Sequence, residues 1–70
     1  MRTLVREYWV EKKKIGFIRF IFEAHEGIAN VTTLDAETGH IRLRIVPERL
    51  ETVLKVIDDL KKDFRFESCS

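Results

Sequence analysis

Three consecutive lysines, Lys12-Lys13-Lys14, run into Ile15-Gly16-Phe17, and this is the stretch best suited to hold a ligand. An apolar helical pattern begins here. The unpaired N–H groups of a helix start attract an anion, and the lysines add positive charge. Gly16 would let a carboxylate or phosphate approach the backbone. The same residues would equally serve as a solvated charge run with a turn glycine. The spacing lacks the Gly-x-x-x-x-Gly-Lys pattern of a phosphate-binding loop. His25 and His40 stand too far apart to form a short-range metal pair. His25 reads as a boundary residue near a helix end, His40 as an exposed turn residue, and Cys69 as a surface thiol in a terminal tail. The acidic residues are spread along helix surfaces, and no nucleophile has a base near it in sequence. The sequence therefore predicts no catalytic residue, no metal site, no cofactor and no enzyme.

Composition narrows the function classes further. Seventy residues make one domain with a modest core. Thirteen basic and 12 acidic residues leave a net charge of +1, without the basic excess expected of a dedicated nucleic-acid binder. Cys69 is the one cysteine, which excludes a disulfide within the chain. With no apolar run long enough to span a bilayer and no signal-like N-terminal stretch, the expected location is the cytoplasm. Glutamine is absent, asparagine occurs once, and 36% of residues are charged, a composition that suits a thermophile.

The elements that would position these groups follow from periodicity. Thr3 to Val10 is rich in residues that favour extended backbone, with Leu4, Tyr8 and Val10 on one face and Val5, Glu7 and Trp9 on the other. Lys14 to Glu26 places Ile15, Phe17, Ile18, Ile21, Phe22 and Ala24 on one side of a helix, with Arg19 and Glu23 spaced to pair. Gly27 suits a left-handed cap, and Ile28 should fold back onto the helix. Ile28 to Asp35 and Ile41 to Val46 form a hairpin around a turn at Gly39. Ala29, Val31 and Thr33 are assigned to the core side. Pro47 opens a second helix with Leu50, Val53, Leu54, Ile57 and Leu60 buried. Glu51–Lys55 and Asp58–Lys62 are expected pairs. Phe64 to Glu67 closes the chain as a short strand.

The order strand, helix, strand, strand, helix, strand defines an α+β, ferredoxin-like βαββαβ fold. Right-handed crossovers put both helices on one face of a four-stranded antiparallel sheet, with the first and third strands central.

With that order in hand, the chain resembles an ACT-like domain, a small regulatory module that binds amino acids. Gly16 matches the glycine of the first strand–helix loop, Ile18 and Ile21 the helix positions, Gly27 the second glycine, and Ile28, Asn30 and Val31 the strand that follows. Ile15 stands where that family usually has proline, and Ala29 separates Ile28 from Asn30. Small stand-alone bacterial proteins of unassigned function are also similar. The resemblance implies a ligand-sensing role, with an amino acid or small organic anion held at a subunit boundary. The site would combine Lys13, Lys14, Ile15, Gly16 and Phe17 with Asn30 and Val31.

The sheet face without helices supplies a second surface. Val5, Trp9, Arg42 and Arg44 would lie on it, with Glu7 near the arginines and Trp9 offering a ring for an arginine to stack upon. Phe20, at the margin of the first helix's apolar stripe, could pack on a neighbouring subunit. These residues make a homodimer the expected partner. A purely structural interaction module is the alternative function. RNA binding is less favoured, because Ile41 to Val46 carries no aromatic side chain to stack a base.

Overall fold

Ile41, Leu43 and Ile45 alternate with Arg42 and Arg44, and this two-residue period puts β3 (His40–Ile45) at the heart of the sheet. The computed structural model describes residues 3–69. β3 is flanked by β1 (Leu4–Val10) and β2 (Ala29–Asp35), and β4 (Phe66–Ser68) lies outside β1. All three pairings are antiparallel, in the order β2-β3-β1-β4. The fold is α+β and ferredoxin-like. β2 has Ala29 opposite Ile45, Val31 opposite Leu43 and Thr33 opposite Ile41, so these three face the core as their register requires.

Two helical segments cover one face. Pro47–Arg49 forms a tight first turn, where a proline N–H is not needed, and leads into α2 (Leu50–Leu60). Val53, Ile57 and Leu60 pack with Ile18 and Phe22 of the first helical segment against Tyr8, Val10, Val31, Ile41, Leu43, Ile45 and Phe66. Each fully buried aliphatic or aromatic side chain contributes roughly 1.5–3 kcal/mol. Leu54, expected inside, is exposed, and Val56 is the residue half-buried against the core. Glu51 pairs with Lys55 at 3.6 Å, but Asp58 pairs with Lys61 and Asp59 with Lys62, both at 3.8 Å, instead of Asp58 with Lys62. Either spacing lets exposed helix side chains meet, and neither is worth much.

The first helical segment departs from a uniform α-helix. It opens two residues early as a 3-10 turn, Lys12–Lys14, continues as α1 (Ile15–Arg19), and widens into a π-helical turn, Phe20–His25. Gly16 thus lies inside the helix and does not open it. Its φ is not positive, and a Cβ there would have no neighbour within 4 Å. Gly27 does the expected work with φ 62°. The Ile28 N–H returns to the Phe22 carbonyl at 2.9 Å, which buries Ile28. That link is one residue wider than an ordinary Schellman closure, as a π turn requires.

Two side chains around the wide turn reach the neighbouring strand. Arg19 and Glu23 do not pair with each other. The Glu23 Oε2 accepts the Val31 N–H at 2.7 Å, and the Arg19 Nη2 donates to the Thr33 Oγ1 at 3.2 Å. An edge strand exposes backbone N–H groups that would otherwise recruit another strand, and a charge-assisted bond to one of them is stronger than an exposed ion pair. One backbone N–H on the outer edge of β2 is therefore taken by a helix carboxylate, and the Arg19 bond to Thr33 adds a second tie between helix and strand.

Candidate functional site

β1 and β3 present Val5, Glu7 and Trp9 beside Arg44, Arg42 and His40 on the face that carries no helix. Register makes Glu7 the neighbour of Arg42, and Trp9 the neighbour of His40 on one side and Glu67 on the other. The Arg42 Nη2 donates to the Glu7 Oε2 at 3.3 Å, and the His40 Nε2 donates to the Glu7 Oε1 at 3.0 Å. A carboxylate only accepts, so the Nε2 carries the proton in this arrangement. Hydrogen bonds from His40 first, and Arg42 second, hold the Glu7 carboxyl below the usual glutamate value. The Arg42 Nε is buried without a hydrogen-bond partner among the described residues.

His40 is half-buried and stacks on Trp9, with ring centroids 4.4 Å apart and planes 30° apart. It is not an exposed turn residue, and the Trp9 ring is occupied by an imidazole where an arginine was expected. A register shift between Thr33 and Asp35 brings His40 into the pairing opposite Asp35. Gly39, with φ 79°, makes that entry possible. A side chain there would collide with the Val10 carbonyl oxygen.

Cys69 also differs from a loose tail. Its N–H donates to the Glu7 carbonyl at 3.0 Å, extending the β4 pairing, and the residue is half-buried. Burial and the Glu7 charge push its thiol above the usual value, the opposite of nucleophile activation. Among the described residues no group of three or more His, Cys, Asp or Glu side chains could hold a metal ion.

The residues of the expected ligand site fall in two places. Lys13, Lys14 and Gly16 are exposed at the helix start, and Ile15 is half-buried against the core. The Lys14 Nζ lies 5.9 Å from the centre of the Phe64 ring, and Phe17 meets that ring edge-on at 6.3 Å. A cleft of about 220 Å³ nearby is lined by Val10, Glu11, Lys12, Glu37, Thr38 and Arg65. Asn30 lies at the other end of the strands, opposite Arg44. There a cleft of about 180 Å³ runs between Glu23, Gly27, Ala29, Asn30, Arg44 and Val46. Val31 belongs to the core, and its N–H is taken by Glu23. Within one chain, the two halves are not brought together.

Of the expected interface residues, Val5, Trp9, Arg42 and Arg44 share the open face, whereas Phe20 is on the helical side, exposed and stacked on His25. Two larger clefts, each about 500 Å³, lie beside β4. One is bounded by Leu4, Val5, Arg6, Glu7, Ser68 and Cys69, the other by Lys61, Phe64, Arg65, Phe66, Glu67 and Ser68. The residues that sequence reasoning placed differently are His40, read as an exposed turn residue, Cys69, read as a tail thiol, and Glu23, read as a partner of Arg19. The first two needed the strand register, and the third needed the π turn.

The fold and this face define a small ferredoxin-like domain whose polar centre is an ion-paired cross-strand cluster. A family model described as a domain of unknown function, DUF4911, matches residues 8–63, most of the chain, and the protein belongs to that family. No curated protein and no solved structure matches it. No helix among the described residues is long and apolar enough to cross a membrane.

Proposed function

We propose that this protein is a non-enzymatic interaction module that pairs with a second copy of itself through the open face of its sheet. The observation that carries this reading is the makeup of that face. Val5, 54% exposed, and Trp9 supply apolar surface around charges that already neutralise one another. Glu7 takes Arg42 and His40, and Glu67 takes Arg65 at 3.1 Å. Arg44 has no ion-pair partner among the described residues. Burying such a face against another protein leaves few charges stranded. A phosphate backbone would find little net positive charge on it, which disfavours RNA despite the Trp9–His40 pair. A domain of this size buries only ~60% of its unfolded surface, so oligomerisation is a common route to stability. Two-fold pairing of one patch with itself is the commonest way to achieve it.

The test is solution mass by light scattering, for the unaltered protein and for Val5→Asp and Arg44→Glu. Doubled mass for the first and monomer mass for the variants supports the reading. A monomer at all concentrations up to about 1 mM removes it, since a free energy weaker than about −4 kcal/mol would not sustain a specific dimer.

A second reading, the regulatory ligand sensor that the ACT-like resemblance implies, is supported by the cleft at Asn30 and Arg44. Its amide and guanidinium could bind the carboxylate of an amino acid or small organic acid. Lys13, Lys14, Ile15, Gly16 and Phe17 would have to come from another copy, since a chain's own are at the far end of its strands. Calorimetric titration with amino acids and organic acids decides this. Submillimolar binding lost in Asn30→Ala supports the sensor, and no heat of binding counts against it.

A further inference from the structure

The outer side of the first helical segment is not explained by the open face. Lys13, Phe17, Phe20 and Ala24 follow one another at helical spacing, and all four are exposed. Phe17 and Phe20 keep 47% and 53% of their surface in water. Lys13 and Lys14 flank them and have no ion-pair partner among the described residues, while Lys12 reaches Glu37 at 3.8 Å. No acidic side chain lies in the first turn to offset them. Phe17 meets Phe64 edge-on at 6.3 Å and Phe20 stacks on His25 at 6.0 Å, so the two rings stand as an exposed ridge along the segment.

We propose that this ridge docks on the surface of an anionic lipid bilayer. The two rings would enter the headgroup–acyl boundary while Lys13 and Lys14 reach the phosphates. The occupant is set by charge: Lys13 and Lys14, without an acidic partner among the described residues, complement an anionic surface. Apolar rings beside lysines that lack an ion-pair partner are what interfacial binding uses, and each lysine near an anionic surface adds to the attraction. Lysine stems bury their methylenes and keep the ammonium at the polar layer. The contact is reversible and peripheral, because two rings and two or three cations are a weak anchor. It is independent of pairing through the open face, which lies on the other side of the sheet.

The experiment is co-sedimentation with vesicles of phosphatidylcholine alone and of phosphatidylcholine with phosphatidylglycerol, using the full chain, Phe17→Ser/Phe20→Ser and Lys13→Glu/Lys14→Glu. Circular dichroism confirms that each variant folds, which is expected because all four side chains are exposed. The expected result is pelleting with the anionic vesicles alone, weakened at least about tenfold in both variants and by raised salt. Absence of pelleting with anionic vesicles, or pelleting unchanged in Phe17→Ser/Phe20→Ser, overturns the proposal. A fall in solution mass in that variant, without any vesicle binding by the parent, would assign the ridge to a second copy and also overturn it.

Discussion

The two faces of the sheet are built from the same strands and obey different rules. On the helical face, Val10, Ile41, Leu43 and Ile45 are sealed under Ile18, Phe22, Val53 and Ile57, and no polar or charged residue among the described residues is buried there. On the other face, the alternate residues of the same strands hold a carboxylate between a histidine and an arginine, beside a stacked indole. The first face is held by area removed from water, which is indifferent to partner identity within limits of volume. The second is held by directional contacts that depend on which residue stands opposite which. Stability therefore belongs to the covered face, and the open one is where the proposed self-association would be specified.

That contrast is broken most severely by Phe22→Ala. Phe22 is fully buried beneath the wide helical turn, and its loss should cost about 3–5 kcal/mol, seen as a large fall in the urea midpoint. In a 70-residue domain this takes most of the stability and leaves the open face without its support.

The glycines sharpen the comparison at the next level. Gly39→Ala places a side chain on the Val10 carbonyl at a positive φ, at the point where β3 delivers His40. It should destabilise by more than about 1 kcal/mol, and it should also alter Trp9 emission by shifting His40. Gly16→Ala meets open space inside a helix and should stabilise by roughly 0.5–1 kcal/mol, leaving Trp9 emission unchanged. Thermal unfolding followed by circular dichroism separates the two.

The smallest effect is expected at Glu7→Gln, and it is confined to acid. Glu7 has its folded value lowered below 4.5 by His40 and Arg42, so it contributes stability above about that pH. The contribution disappears as pH falls through the lowered value. The parent should lose stability more steeply than Glu7→Gln in that window, and the two curves should run parallel above it. Urea titrations at a series of pH values measure the difference.

How far the sequence revealed these faces depends on the range of each interaction. The alternation of Ile41 to Ile45, the caps at Gly27 and Pro47, and the turn at Gly39 are local, and each carried its own residue signature. Strand order followed from the handedness of the crossovers. The side of β2 that faces inward was only weakly marked, because Ile28 to Leu34 does not alternate cleanly, and the assignment of Ala29, Val31 and Thr33 to the core agrees with the register. The π turn was not readable, because hydrophobic spacing over a dozen residues tolerates one extra residue without losing its face. Glu23 could not be assigned to Val31 until that turn was known. His40 became a neighbour of Trp9 through an irregularity at Thr33 and Asp35, and a one-residue change of register would have sent it elsewhere. Phe17 was placed inside from helical periodicity, but it stays 47% exposed and meets the Phe64 ring edge-on, while Ile18 and Phe22 are the residues fully buried.

Trp9 is the one tryptophan in the chain, and it sits on the face assigned to self-association. Its emission, followed from low micromolar to millimolar protein concentration, tests that assignment most directly. Pairing through this face predicts a concentration-dependent blue shift that follows the solution mass and vanishes in Val5→Asp. An emission maximum independent of concentration while the mass doubles would place the contact elsewhere and contradict the account.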